Sequence, residues 1–217
     1  DFLQVERDRG ISVRASFNSF DWNGACINLI DTPGHIDFTS ELERILPVID
    51  AAILVISAVE GIQAQTEAIW SALKEREVPV LFFINKIDRI GADVEAVIAD
   101  IKKECSSDVI LMQDCKDAGL ASVEVSSKLE LDEDDVEIVA GSDEKLLESY
   151  LDQGFLSKNH LDKGIKNGLQ HRLLFPVLFG ASKLDLGVDS LLDFIEDYFP
   201  EASYQPDEAA SAYVYAI

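Results

Sequence analysis

Val78-Pro-Val-Leu-Phe-Phe-Ile84 runs straight into Asn85-Lys-Ile-Asp88. A short, continuous apolar run of this kind predicts a strand buried on both faces, and such strands belong to parallel sheets covered by helices. The largely polar tetrapeptide then falls at the exit of the strand, where open α/β sheets bind their ligands. Upstream, Asn28-Leu-Ile30 leads in the same way into Asp31-Thr-Pro-Gly-His35. Both loops are therefore expected to leave buried parallel strands at one edge of a sheet.

Working outward, strand and helix patterns alternate. Ile11 to Phe20 alternates apolar and polar residues, Asn23-Gly24 supplies a hairpin turn, and Ala25 to Ile30 returns as the partner strand. Glu41 to Val48 reads as a helix, Ala51 to Ser57 as a short buried strand, Ile62 to Glu75 as an amphipathic helix and Val94 to Glu104 as another. Leu173 to Phe179 resumes the sheet and the helix Val188 to Tyr198 closes the layer. This interval predicts βαβ crossovers and a mostly parallel sheet. From about Cys105 to Gly168 the rhythm breaks, which marks a small helical insertion, with helices after Ser142 and from about Ser157 to Gly168. Glu130-Leu-Asp-Glu-Asp-Asp-Val-Glu137 within it is expected to be a solvated acidic face.

The chain carries 41 acidic and 18 basic residues, a net charge of −23. Nucleic-acid binding normally needs a basic face that displaces counterions, so direct non-specific binding to RNA or DNA is not expected. Cys26, Cys105 and Cys115 have no metal-ligand spacing and are expected to be buried, reduced thiols. The sequence has neither an apolar stretch of about 18 residues nor a basic-then-apolar start, so no membrane association and a cytoplasmic location are expected.

The residue types of the two loops suggest their chemistry. A carboxylate at a strand end, Asp31, can hold Mg²⁺ through water, because this hard ion keeps part of its hydration shell. Gly34 lets its backbone N–H approach a terminal phosphate without a Cβ in the way. His35 alone after a turn also suits a surface or capping residue; inside this pentapeptide it reads as the group that positions an attacking water. In the second loop Asp88 can accept from guanine N1–H and the 2-amino group together, a donor pair adenine lacks. Asn85 can tie neighbouring loops and reach the purine N7, and the Lys86 stem can cover the ring. Gly180-Ala-Ser-Lys183 can offer backbone N–H groups to guanine O6, though a simple strand-to-helix turn fits it equally well. Ser12 can place a hydroxyl on the magnesium or be only a polar residue in a strand.

Arg9-Gly-Ile-Ser-Val13, Asp31-Thr-Pro-Gly-His-Ile-Asp-Phe38, Gly61-Ile-Gln-Ala-Gln65 and Phe82-Phe-Ile-Asn-Lys-Ile-Asp88 resemble the GTPase domain of translational GTPases. The match leans toward the elongation factor G-like tetracycline-resistance, or ribosomal-protection, proteins through Gln63-Ala-Gln-Thr66 and Gly141 to Tyr150, and covers nearly all of residues 1–200. The resemblance implies a phosphate-loop NTPase type α/β fold, three-layered around a mostly parallel sheet. It implies GTP or GDP and Mg²⁺ as ligands, His35 as the catalytic residue, and Ser12 and Asp31 at the metal. Asp31, Thr32, Pro33, Gly34, His35, Asn85, Lys86, Ile87, Asp88, Ala181, Ser182 and Lys183 would bind GTP. Ser12 stands where the family usually has threonine, and Ala181-Ser182 reverses the family's usual Ser-Ala. The family's Gly-x-x-x-x-Gly-Lys-Ser/Thr phosphate loop and first strand have no counterpart here, so residues 1–217 alone are expected to hydrolyse GTP poorly.

The domain organisation expected on this basis is a GTPase domain over 1–200, a linker over 201–211, and the first strand of a β-barrel domain over 212–217. The expected partner is the ribosome, engaged by a monomer. Elongation factor G and peptide release factors are the alternatives within the class, and a non-hydrolysing interaction module is the alternative outside it.

Overall fold

The computed structural model describes residues 15–34 and 39–201. Ser12, His35 and the expected 212–217 strand lie outside the described residues, as does nearly all of the expected linker.

The apolar run is strand β4, and its position explains its composition. Among the described residues the parallel sheet has the order β3–β4–β8–β5, formed by Ala52–Ser57, Val80–Asn85, Phe175–Phe179 and Val109–Leu111. β4 therefore lies between two strands, and its alternate side chains enter two separate cores. Val80, Phe82 and Ile84 pack with Trp70, Ile101 and Val177 on one side. Leu81 and Phe83 pack with Val139, Ile165, Leu169 and Phe194 on the other. Helices α1 (Thr39–Ile45), α2 (Ala64–Glu75) and α3 (Val94–Glu104) supply the first layer. Helices α6 (Lys158–Gln170) and α7 (Val188–Tyr198) supply the opposite one, with α4 (Glu133–Gly141). The result is the expected three-layer α/β arrangement. Trp70 makes an edge contact with Phe175 at 5.0 Å between ring centroids and a tilted one with Phe82 at 5.4 Å, which fills the first core with rigid area.

Among the described residues strand β3 is an edge of this sheet. Leu54 and Ile56 are buried and Ile53 is half-buried against the second core, but Val55 is 55% exposed, so the short buried strand read from the sequence is only partly covered on that face.

The hairpin departs from expectation. β1 (Ser16–Trp22) and β2 (Ala25–Asp31) pair antiparallel across Asn23 and Gly24, with φ of 47° and 94°, the left-handed pair such a turn requires. They form a two-stranded sheet of their own, and the loop that starts at Asp31 leaves an antiparallel hairpin rather than a buried parallel strand. No residue of either strand is fully buried; Phe17 and Leu29 are each 42% exposed. Alternation indicates that one face is less polar, not what covers it. The hairpin is tied down at its tip, where Trp22 Nε1–H and Asn23 Nδ2–H donate to Asp193 on α7 at 2.9 and 3.1 Å. Cys26 is exposed for the same reason, against the expectation of a buried thiol. Cys105 and Cys115 are half-buried; burial pushes the Cys105 thiol up to about 11 and raises that of Cys115, so both stay protonated near neutrality.

The insertion also differs in detail. Val109–Leu111, inside the 105–168 span, is β5 of the main sheet and pairs parallel with β8 from Val109↔Phe175 to Leu111↔Val177. A three-residue strand is too short for periodicity to reveal. An antiparallel pair follows, β6 (Gln113–Lys116) with β7 (Glu124–Ser127), and then α4 and α5 (Glu144–Gln153). Asp143 caps α5 through the N–H groups of Lys145 and Leu146, while Ser142 is buried and donates to Val139 O.

The acidic run is not wholly solvated. Asp135, on the inner face of α4, is 4% exposed; it accepts from Leu111 N–H at 3.2 Å and pairs with Lys128 Nζ at 3.5 Å. Lys128 is half-buried as a residue, with its side chain 7% exposed, and also pairs with Asp132. Burial raises the Asp135 carboxyl above its ordinary value, and the Leu111 N–H and the Lys128 ammonium pull against that shift. The pair locks α4 onto the end of β5. Asp135→Ala would leave the Leu111 N–H without its acceptor and the Lys128 ammonium with Asp132 alone, and is expected to lower stability by about 2 kcal/mol in urea unfolding. Asp135→Asn keeps an acceptor for Leu111 N–H and is expected to lose less.

Candidate guanine-nucleotide site

The parallel register sets the site. Ser57 pairs with Asn85 and Ile84 with Phe179, so β3, β4 and β8 end together at one edge of the sheet. Their loops start side by side there, at the place where such sheets bind ligands.

Asn85 joins two of these loops. Its Oδ1 accepts from Lys86 N–H at 2.8 Å and from Ser182 N–H at 3.0 Å. Backbone bonds run the same way: Ile87 N–H donates to Gly180 O at 3.3 Å, and Gly119 N–H to Ile87 O at 2.8 Å. Ile87 is fully buried and anchors the loop to the core. Lys86 adopts φ 63°, a left-handed conformation that β-carbon-bearing residues rarely take and that functional loops often contain. That twist turns the chain so that Arg89 N–H reaches Lys86 O, leaving Asp88 half-buried at the turn.

The loop after β8 is equally constrained. Ala181 and Leu186 exchange backbone bonds, and Ser182–Leu184 forms a single 3₁₀ turn between them. Ala181 is buried, whereas Ser182 and Lys183 are exposed. Gly187 closes the loop at φ 78°, with the Phe179 carbonyl oxygen 2.2 Å from where a Cβ would stand. The sequence-derived set Asn85, Lys86, Ile87, Asp88, Ala181, Ser182 and Lys183 is thus brought to one edge of the sheet.

Sequence reasoning missed the third loop. Glu60 follows β3, and its carboxylate receives Lys86 Nζ at 3.2 and 3.3 Å. The two side chains share a depression of about 300 Å³ with Val55, Ser57, Thr66 and Asn85. The available signal was positional: Glu60 lies just past a strand end at the ligand edge. A larger cavity, about 830 Å³, opens between residues 128–133, α6 and α7, and none of the sequence-derived site residues line it.

The first loop is not seen to join the others. Asp31 is exposed at the end of β2, Thr32 is half-buried, Pro33 is buried and Gly34 is exposed with open space where a Cβ would be. Among the described residues no hydrogen bond links Asp31–Gly34 to Asn85–Asp88. No group of three or more potential metal ligands is gathered among the described residues. An Mg²⁺ held chiefly by phosphate and water needs only one or two protein oxygens, and the exposed Asp31 carboxylate fits that demand.

The family model for the elongation factor Tu GTP-binding domain matches residues 1–201. The chain belongs to this family. Over its whole length it is 40% identical to the tetracycline resistance protein TetP of Clostridium perfringens. It is 36% identical to TetW of Butyrivibrio fibrisolvens and to TetM from transposon Tn916 of Enterococcus faecalis. It spans about a third of the length of these curated relatives, 34% of TetP and 33% of the other two. A crystal structure of a Thermus thermophilus protein superposes on 92% of the chain and 34% of its own, with a TM-score of 0.81 at 22% identity, which speaks for the fold. No helix among the described residues is long and apolar enough to cross a membrane.

Proposed function

We propose that residues 1–200 are the GTP-binding and GTP-hydrolysing domain of a ribosome-associated translation factor of the tetracycline ribosomal-protection kind. The observation that carries the nucleotide reading is the Asn85 clamp, one side-chain oxygen holding the Lys86 and Ser182 loops together. The 40% identity to a tetracycline resistance protein across the whole chain favours the protection role.

In this reading Asp88 pairs with guanine N1–H and the 2-amino group, Asn85 reaches N7, the Lys86 stem covers the ring, and N–H groups of Ala181-Ser-Lys183 face O6. Asp31 and Ser12 would hold Mg²⁺, which would supply positive charge to offset that of the phosphates. Thr32, Pro33 and Gly34 bring a backbone N–H to the terminal phosphate, and His35 orients the water that attacks it.

Competition of GDP and ADP for the full-length protein tests the nucleotide reading. GDP is expected to win by orders of magnitude, and an ADP preference would overturn it. Ribosome-stimulated GTP turnover with and without tetracycline tests the protection role; turnover indifferent to ribosomes would sink it.

A further inference from the structure

Glu60 belongs to no motif, yet it faces Lys86, one of six non-glycine residues with a positive φ among the described residues. Its loop is pinned from several sides. Gly61 N–H donates to Ser57 O at 2.9 Å, and Ser57 Oγ accepts from Val59 and Glu60 N–H, each at 3.3 Å. Ala58 N–H donates to Asn85 O at 2.8 Å, and Asp93 N–H to Ala58 O at 2.9 Å. The turn is thus fastened to the end of β4 and to the N-terminus of α3. From this fixed base both Glu60 oxygens reach the Lys86 ammonium, the Oε2 at 3.2 Å.

Lys86 lines the depression of about 300 Å³ at the strand ends. Its side chain is 37% exposed, and among the described residues Glu60 is its only ion-pair partner. A four-carbon stem left free would lose rotamer entropy on covering a purine ring. A carboxylate on a rigid turn removes part of that loss before the ligand arrives, which is preorganisation.

We propose that Glu60 is a positioning residue for guanine-nucleotide binding, holding the Lys86 ammonium so that the stem is set beside Asn85 as one wall of the base site. This rests on the guanine-site reading above. Glu60 itself touches no nucleotide atom in this scheme; it acts through Lys86.

The test is a double-mutant cycle in the full-length protein, read by the release rate of fluorescent GDP. Glu60→Ala is expected to speed release about fivefold, the upper range for a half-exposed ion pair. Lys86→Met should speed it at least as much, and adding Glu60→Ala to Lys86→Met should change nothing further. The Glu60→Ala effect should also shrink in 1 M salt, where the screening length is about 3 Å. A purely structural role would move the thermal midpoint instead, and would persist in Lys86→Met and in salt. Equal release from Glu60→Ala and the unaltered protein overturns the proposal, as do effects that multiply in the double variant. The same proteins carrying Asp88→Asn separate the two failures. If Asp88→Asn abolishes guanine preference while the Glu60 variants are silent, only the Glu60 assignment falls. If Asp88→Asn is silent, the guanine-site reading falls with it.

Discussion

Asp88→Asn is expected to weaken GDP binding by about 10³-fold, on the order of 4 kcal/mol, and to favour xanthine nucleotides. The carboxylate in the proposed site accepts two bonds from adjacent donors, each charge-assisted. An amide presents one acceptor and one donor, so with guanine one bond is lost and an N–H meets an N–H. Xanthine carries a carbonyl where guanine carries the amino group, and the amide then finds a partner for each of its groups. The loop should survive the change, since Asn85 and the buried Ile87 hold it and Asp88 is only half-buried. The measurement is competition among GDP, XDP and ADP, with the thermal midpoint as control. An unchanged order of affinities would remove Asp88 from the base site.

Gly187→Ala is expected to cost about 4 kcal/mol, combining left-handed strain with overpacking. A Cβ there would stand 2.2 Å from the Phe179 carbonyl oxygen and 3.1 Å from Gly180 Cα, both backbone atoms that no side-chain rotation can move. Relief requires the end of β8 to part from the start of α7, which also displaces Ala181 and the Ser182 N–H that Asn85 holds. Gly154 supplies the control: its φ is 75°, similar to the 78° of Gly187, but nothing lies within 4 Å of its Cβ position. Gly154→Ala should therefore show only the conformational cost, about 1 kcal/mol. Urea unfolding of the two variants separates clash from strain, and equal losses would show that the β8–α7 corner yields freely.

Much of the fold is readable because some signals are local. The 188–198 and 94–104 helices appear with the bounds the pattern implies, and Asp93 and Ser157 cap α3 and α6 through Ala96 and His160 N–H. The 78–84 run reads as buried on both faces, and β4 is. The misses have one character. Asp135 looks like one more solvated carboxylate, because local charge density says nothing about which side chain a neighbouring strand will cover. β5 is lost in the insertion because its three residues gain their identity from β8. Cys26 and Leu29 carry the right pattern on a hairpin whose faces little else among the described residues covers.

Sequence by itself determined that a strand would run into Asn85-Lys-Ile-Asp88, since an unbroken apolar stretch is tolerated only where both sides are dry. Only the tertiary structure decided what that loop meets. Asn85 Oδ1 finds Ser182 N–H, and Lys86 finds Glu60, across separations in the chain that no periodicity encodes. These contacts exist because parallel strands in register bring their ends to one edge, and that register is a property of the assembled sheet rather than of any segment within it.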